Sequence, residues 1–249
     1  MIEAKKISVS IGKKTILNSV SFRLKPHTLT VVVGKNGSGK STLVSCFAQT
    51  KEYTGELLYS GRNILLMSPK ERASKIAILP QMLKAPHIHV NELVKMGRNP
   101  YLDLAYHMTE SDCLAVEEAM NWTSVKHLEA SFVDELSGGE RQKVYLALIL
   151  AQDTRVLILD EPTTYMDVNV EADFLKLLVK LKNEKKKTLL VIMHNLNHAV
   201  QIADQIIVMD QGKIVFEGSK EECLEKEILE NSFHVKRYES EGRLFFESF

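Results

Sequence analysis

The chain has 249 residues, of which 45% are hydrophobic and 26% charged, the composition of an ordinary globular protein. Its 32 Lys and Arg residues balance its 32 Asp and Glu residues, so net charge gives no argument for nucleic-acid binding. No apolar run reaches the roughly 18 to 20 residues that span a bilayer, and the N-terminus lacks the pattern of a targeting peptide. Widely spaced Cys46, Cys113 and Cys223 favour a reducing compartment, and we expect a soluble chain.

The first part of the chain reads as short strands with one glycine-rich interruption. Alternating apolar and β-branched residues predict strands at 2–10, 15–24 and 28–34. The third strand leads into GKNGSGKST and an amphipathic helix. Residues 55–65 then indicate a hairpin, and KIAILPQ at 75–81 indicates a buried strand.

A helical block follows, from about residue 87 to 152. Within it, Thr109 can cap a helix together with Asp112, three residues later. Beyond it the pattern alternates again: a strand (VLILD), a helix with Phe174 and Leu178 on its apolar face, a strand (TLLVIMH), a helix and a hairpin. The last 30 residues indicate a helix and a small strand pair. The alternation of strands and helices predicts a mostly parallel sheet.

The stretch from Gly34 to Ser41 satisfies the pattern GxxxxGK[ST] between a strand and a helix, the context that a phosphate-binding loop requires. Glycines let the backbone approach a polyphosphate, with N–H groups and the helix N-terminus pointing inward. Lys40 would reach the β- and γ-phosphates and the Ser41 hydroxyl would ligate Mg²⁺. The predicted nucleotide contacts in this loop are Gly34, Asn36, Gly37, Ser38, Gly39, Lys40, Ser41 and Thr42.

Several polar residues follow predicted buried strands. Asp160 and Glu161 end VLILD, where ligands bind in open α/β sheets, so Asp160 could hold Mg²⁺ and Glu161 could polarise an attacking water. His194 ends TLLVIMH and is either structural or functional. Gln81 is either a polar loop residue or a sensor of the γ-phosphate. His87 and His89 form an HxH pair without a third ligand nearby, which argues against a metal site.

LSGGE, residues 136–140, precedes a long apolar helix. It could be a turn before a helix, or Ser137, Gly138 and Gly139 could expose the helix N-terminus as an anion-binding face.

In order and spacing, GKNGSGKST, Gln81, LSGGE, VLILDEP, Asp167 and His194 resemble the motifs of the ATP-binding subunits of ABC transporters, over nearly the whole chain to about residue 220. The resemblance implies an α/β P-loop NTPase fold: a RecA-like core with a mostly parallel sheet, an antiparallel β edge subdomain and an inserted helical subdomain. It implies one ABC ATPase domain, in which 1–85 and 153–220 form the core, 86–152 the helical subdomain, and 221–249 a short extension.

The same resemblance implies roles for individual residues. Glu161 would be the catalytic base, His194 the switch histidine and Gln81 the Q-loop residue. Mg²⁺ would be held by Ser41, Gln81 and Asp160. Asp167 would be the acid of the D-loop, and Ser137, Gly138 and Gly139 would be the signature that meets the ATP of a second subunit. We therefore expect a head-to-tail homodimer around two ATP molecules.

One position departs from the family pattern. An aromatic residue usually stacks on adenine before the first turn, and here that place is taken by Ile11. Since an aliphatic side chain lacks π-stacking, we expect modest ATP affinity.

Three stretches, at 94–102, 161–167 and 192–204, resemble the importers of iron–siderophore, haem and cobalamin type. This implies a peripheral protein on the cytoplasmic side of the membrane, docked on a permease that receives solute from an extracytoplasmic binding protein, with no nucleic-acid partner. We expect the segment 81–103 to form the permease groove, with Gln81, Met96, Arg98 and Tyr101 as contacts.

Two other classes remain. A soluble ABC ATPase that moves no solute, such as an iron–sulfur assembly scaffold, would share these motifs and would be separated from a transporter by co-purification with a polytopic membrane protein. A P-loop kinase leaves LSGGE unexplained. The transported substrate is not encoded in this subunit.

Overall fold

The computed structural model describes residues 1–102, 107–164, 166–240 and 243–248. The strands, in chain order, are β1 Ile2–Ile11, β2 Lys14–Leu24, β3 Leu29–Gly34, β4 Thr54–Tyr59, β5 Arg62–Asn63, β6 Ile76–Leu79, β7 Val156–Asp160, β8 Thr188–Ile192, β9 Gln205–Asp210, β10 Lys213–Ser219, β11 Val235–Ser240 and β12 Arg243–Ser248. The helices are α1 Lys40–Ala48, α2 Pro69–Ala73, α3 Val90–Lys95, α4 Glu110–Trp122, α5 Gly138–Ala151, α6 Val168–Lys185, α7 Leu196–Ile202, α8 Lys220–Glu225 and α9 Ile228–Phe233.

The chain divides into two compact units. The first unit comprises Met1–Leu66 and Thr188–Phe249, and the second comprises Met67–Lys187. The domain boundaries expected from the sequence, at residues 85, 152 and 220, stay a prediction.

The first unit contains an antiparallel sheet with the strand order β2-β1-β4-β5. Along β1 the side chains of Ile2, Ala4, Ile7 and Val9 are buried. The predicted alternation is interrupted at Lys5 and Lys6, which are both exposed, because the register with β2 shifts there and Lys6 has a φ of 50°. This sheet is the antiparallel β subdomain that the family resemblance implies.

A second set of strands in the first unit runs in the order β10-β9-β3-β8. β3 pairs in parallel with both β8 and β9, and β9 pairs antiparallel with β10. Each residue of β3 and of β8 is buried, which explains why both strands are continuous apolar runs rather than alternating ones. The carboxyl ends of β3, β8 and β9 therefore lie along one edge.

The C-terminal segment forms two short helices, α8 and α9, and the antiparallel hairpin β11-β12. The prediction of one helix was wrong in this respect. Glu227, between the helices, has a φ of 51°, a left-handed conformation that ends the first helix before the second begins. The hairpin is tied to α7, because the backbone amide of Phe246 donates to Asn197 Oδ1 at 2.6 Å.

The second unit combines the parallel pair β6-β7 with the helices α2 to α6. Helices α3, α4 and α5 share an apolar core whose most buried members are Val90, Val94, Met120, Val133, Val144, Ala147 and Ala151. Burying each of the larger side chains contributes about 1.5 to 3 kcal/mol. The predicted cap of α4 is confirmed, since Thr109 and Asp112 form a capping box. Helix α2 was missed, although Ser68, Pro69 and Glu71 form a recognisable N-terminal signal.

Arg98 lies buried beside α4. Its Nε donates to Asp112 Oδ1 at 2.8 Å and its Nη1 donates to the carbonyl of Ala151 at 2.7 Å. The prediction that Arg98 contacts a permease was therefore wrong, because the guanidinium is committed to the interior. Among the described residues, none of the helices is both long and apolar enough to cross a bilayer.

Candidate functional site

The glycine-rich loop joins β3 to α1 in the first unit. Gly37 and Gly39 have φ values of 79° and 103°, conformations that side chains with a Cβ rarely adopt. Space is also tight at position 39, where an added Cβ would lie 2.6 Å from Leu17 Cδ2 and 3.1 Å from the carbonyl oxygen of Ile16. Strand β2 of the antiparallel sheet therefore packs against the glycine-rich loop. The shape of the loop depends on this contact as well as on the sequence of the loop.

The loop presents donors suited to a polyphosphate. Lys40 Nζ donates to the carbonyl oxygens of Gly34 and Lys35, at 2.8 and 3.3 Å, so the ammonium lies across the loop. Ser38 Oγ is buried and has no hydrogen-bond partner among the described residues. The first amides of α1 add the partial positive charge of a helix N-terminus. These groups fit the phosphates of a nucleotide.

His194 follows β8, the parallel neighbour of β3. The register pairs Val32 with Ile192, so the loop and His194 leave the same edge of the sheet. The imidazole is exposed there. Within the first unit, the structure therefore brings the phosphate-binding loop and His194 to one edge, as parallel strand ends require.

In the second unit, Gln81 follows β6 and the two carboxylates end β7. The strands pair in parallel, with Leu79 opposite Leu159. Gln81 Nε2 donates to Glu161 Oε2 at 2.5 Å, a contact between residues that are 80 positions apart in the sequence. Asp160 and Glu161 are both buried. The amide of Gln81 gives the buried carboxylate of Glu161 a donor and fixes its orientation.

The backbone at Glu161 is also constrained, since its φ is 49°. A non-glycine residue in the left-handed region costs about 1 to 3 kcal/mol and persists where the surroundings determine it. The chain turns sharply here, directly after the buried strand β7.

Ser137 caps α5 and forms a capping box with Glu140. The hydroxyl and the amide of Ser137 donate to Glu140 Oε2 at 2.6 and 3.0 Å. These two bonds hold the pKa of Glu140 below its ordinary value, so the carboxylate is charged at neutral pH. This role of Glu140 was not predicted, although Ser137 and Glu140 have the S-x-x-E spacing of a capping box. The exposed face at Ser137 and Gly138 thus combines helix amides with a nearby carboxylate.

Asp167 caps the next helix. Its Oδ1 accepts the amides of Asn169 and Val170 at 3.1 and 3.0 Å. The first turn of α6 also packs against Gly139, so the Ser137–Gly139 stretch and the Asp167 turn adjoin within the second unit. Val170 was missed in the sequence analysis because no local pattern marks a contact between residues 31 positions apart.

His87 and His89 hold a different part of the second unit together. Both imidazoles stack on Phe132, with ring centroids 4.1 and 4.3 Å apart, and His87 Nδ1 lies 3.0 Å from Asp134 Oδ2. His89 Nδ1 lies 2.8 Å from the carbonyl of Ala130. Across the described ranges, no three or more His, Cys, Asp or Glu side chains cluster as a metal site would need.

The remaining predicted contacts differ in exposure. Ile11 is 53% exposed at the end of β1, where a ligand could reach it. Met96 and Tyr101 are also exposed, and the Tyr101 hydroxyl donates to the carbonyl of Gln152. Residue 103, which ends the predicted groove, and Tyr165, within the stretch 161–167, lie outside the described residues.

Comparison with known proteins shows which family this chain resembles. Residues 17–164 match the family model described as ABC transporter. The chain is 34% identical over 246 residues to the petrobactin import ATP-binding protein FpuD of Bacillus anthracis, covering 98% of this chain and 90% of that protein. It is 35% identical over 237 residues to the ferric enterobactin transport ATP-binding protein FepC of Escherichia coli, covering 94% and 88%.

The fold is shared with solved cassettes. The dimeric structure of MJ0796, a bacterial ABC transporter cassette, superposes with a TM-score of 0.79 at 24% identity, covering 88% of this chain and 99% of that one. The predicted fold class is thereby confirmed, as is the resemblance from which it was derived. The chain belongs to the ABC transporter family, whose ATP-binding cassette it forms.

Proposed function

We propose that the chain is the ATP-hydrolysing subunit of an importer for iron–siderophore-type metal chelates. The observation that carries the proposal is the similarity, at 34% and 35% identity over 98% and 94% of this chain, to ATP-binding proteins named for petrobactin import and ferric enterobactin transport. The motifs of a nucleotide hydrolase accompany that similarity: the loop at Gly34–Ser41, the buried Asp160 and Glu161, and the capped helix start at Ser137.

The chemistry assigned to each residue follows from its surroundings. Lys40 and the amides around Gly37 and Gly39 bind the phosphates, and they offset charge as it moves onto the leaving group. Mg²⁺, when bound, neutralises the β- and γ-phosphate oxygens, and Ser41, Asp160 and Gln81 are its proposed ligands.

Glu161 is the proposed general base. Its Oε2 already accepts a bond from Gln81, so the carboxylate is oriented, and the other oxygen takes the proton of the attacking water. Gln81 would bind Mg²⁺ through its amide oxygen, Oε1, which leaves Nε2 able to keep its bond to Glu161.

The proposed working form is a head-to-tail dimer. Ser137, Gly138 and Gly139 of one copy would complete the phosphate site of the other, which explains why a capped helix start is left exposed at Ser137 and Gly138. A solved relative cassette is dimeric, which supports this arrangement.

The proposed partners are an integral membrane permease and, indirectly, an extracytoplasmic solute-binding protein. The proposed location is the cytoplasmic side of the membrane, where the chain would be a peripheral subunit bound to the permease. The exposed apolar side chains Met82, Met96 and Tyr101 in the second unit are the proposed permease contacts.

The test is co-purification from native membranes followed by transport. A tagged chain should bring down a polytopic permease, and vesicles containing both should take up a radio-iron siderophore only when ATP is enclosed with the subunit. Isolation of the chain with soluble iron–sulfur assembly proteins, and no permease, would instead favour the scaffold class. Uptake that is independent of ATP would contradict the proposal.

A further inference from the structure

Gly139 lies against the side chain of Val170. A Cβ added at Gly139 would lie 2.9 Å from Val170 Cγ1, and 3.7 and 3.8 Å from its Cβ and Cγ2. Carbon atoms pack best at about 3.5 to 4.0 Å, so the contact leaves no room for even a methyl group. The φ of Gly139 is outside the left-handed region, so conformation alone does not require glycine here. Close packing does.

Val170 is poorly able to move aside. It is β-branched and sits in a helix, where its side chain is largely restricted to one rotamer. Its backbone amide donates to Asp167 Oδ1 at 3.0 Å, which fixes the first turn of α6 to the Asp167 cap. The rigid part of this contact therefore includes both Val170 and Asp167.

The contact joins two stretches with different tasks. On one side are Asp160 and Glu161, which end β7, and Asp167, which follows them in the chain. On the other side is the exposed Ser137 turn, which heads α5. All of these residues belong to the second unit. A shift of the Asp167 turn would be transmitted to the Ser137 turn through van der Waals contact between Val170 and Gly139.

We propose that Val170 is a positioning residue, which seats the Ser137–Gly139 turn on the Asp167 turn. It acts through Gly139 and touches no substrate. Through this contact, the position of the Ser137–Gly139 turn depends on the position of the Asp160–Asp167 segment in the same chain. The Ser137–Gly139 turn is the part of the chain that would contact the phosphates bound to a second copy. The inference rests on the proposed ATPase dimer, and it adds a coupling between the two ATP sites of that dimer.

The experiment is a suppression test on steady-state ATP hydrolysis by the full chain. Gly139→Ala should lower kcat by about tenfold or more, because overpacking misplaces Ser137, while ATP binding to the single subunit is unchanged. Adding Val170→Ala removes the obstructing methyl groups. Gly139→Ala/Val170→Ala should therefore recover to within about threefold of Val170→Ala alone.

A matched control uses Val179, nine residues further along α6 and partly buried. Gly139→Ala/Val179→Ala should remain as slow as Gly139→Ala, so that recovery is specific to the contact. The Hill coefficient for ATP should fall towards one in Val170→Ala and stay unchanged in Val179→Ala.

A double variant with Val170→Ala that stays as slow as Gly139→Ala would overturn the inference, since glycine would then be required for the phosphate contact itself. Full activity of Gly139→Ala would overturn it as well. Either result leaves the proposed function intact, whereas a wild-type chain that hydrolyses no ATP would contradict the proposed function.

Discussion

Gln81 and Glu161 form the best-defined pair of functional side chains in the second unit. The bond between them orients a buried carboxylate directly after β7, at a residue whose φ of 49° lies in the left-handed region. We therefore expect the rate of ATP hydrolysis to depend on the charged carboxylate of Glu161, and not only on the shape of its side chain.

Glu161→Gln keeps the shape and removes the base. General-base catalysis contributes about 10² to 10⁴ in rate, so hydrolysis measured by phosphate release should fall by at least about a hundredfold. ATP affinity, measured by titration, should be unchanged, because the phosphates are bound by the Gly34–Ser41 loop. Turnover near the wild-type rate would rule out Glu161 as the base.

Ile11 tests the adenine contact. Ile11→Tyr should tighten ATP binding by about fivefold, because a stacked aromatic is worth about 1 kcal/mol over an aliphatic surface. Val215→Tyr, at a similarly exposed aliphatic position on β10, is the control and should not change the affinity. Equal affinities for the wild type and Ile11→Tyr would show that Ile11 is not at the adenine.

At the scale of elements, a buried ion pair between Asp112 and Arg98 helps to fix α4 to the rest of the helical core. The Asp112 carboxylate accepts hydrogen bonds from the hydroxyl and the amide of Thr109 and from the guanidinium of Arg98. Arg98 also donates to the carbonyl of Ala151 at the end of α5. Both side chains of the ion pair are less than a tenth exposed. Removing one partner leaves a buried charge without compensation.

Asp112→Asn should therefore lower the free energy of unfolding by about 3 kcal/mol at neutral pH, measured by urea denaturation. Asp173→Asn breaks an exposed pair with Lys176 and should cost less than about 1 kcal/mol. A cost for Asp112→Asn as small as that of the control would refute a structural role for the pair.

The same pair predicts a pH dependence. The bonds from Thr109, and secondarily Arg98, hold the pKa of Asp112 below its ordinary value. Stabilisation by the carboxylate is therefore fully present above the unfolded-state pKa of about 3.9, and it is lost as the pH falls through the lower folded-state value. The stability advantage of the wild type over Asp112→Asn should shrink in acid. An advantage that is constant from neutral pH to pH 3 would contradict this.

Much of this element structure could be predicted from sequence, for a local physical reason. The continuous apolar runs of β3, β7 and β8 and the Thr109–Asp112 cap are properties of adjacent residues. Arg98 was misplaced because a charged residue is usually exposed, and the partner with which it is buried lies 14 residues away. The contacts Gln81–Glu161 and Gly139–Val170 join residues 80 and 31 positions apart, and tertiary folding alone creates them.

For the whole molecule, the proposed mechanism of ATP hydrolysis requires a second copy. Each copy has a phosphate-binding loop with its own donors. Each also exposes a capped turn at Ser137 and Gly138, where Ser137 is bonded to the carboxylate of Glu140. The carboxylate of Glu140 beside that turn would repel a phosphate, so the approach of ATP must be favoured by several donors together. Association should consequently depend on ATP.

The most direct measurement is the solution mass of Glu161→Gln with and without ATP, by light scattering. The account predicts a mass of 28.2 kDa without nucleotide and twice that mass with ATP and Mg²⁺. Adding Ser137→Arg to the same variant should keep it at the single-chain mass although it still binds ATP. A Glu161→Gln protein that binds ATP and stays single would contradict the central claim, as would a Ser137→Arg variant that doubles equally well.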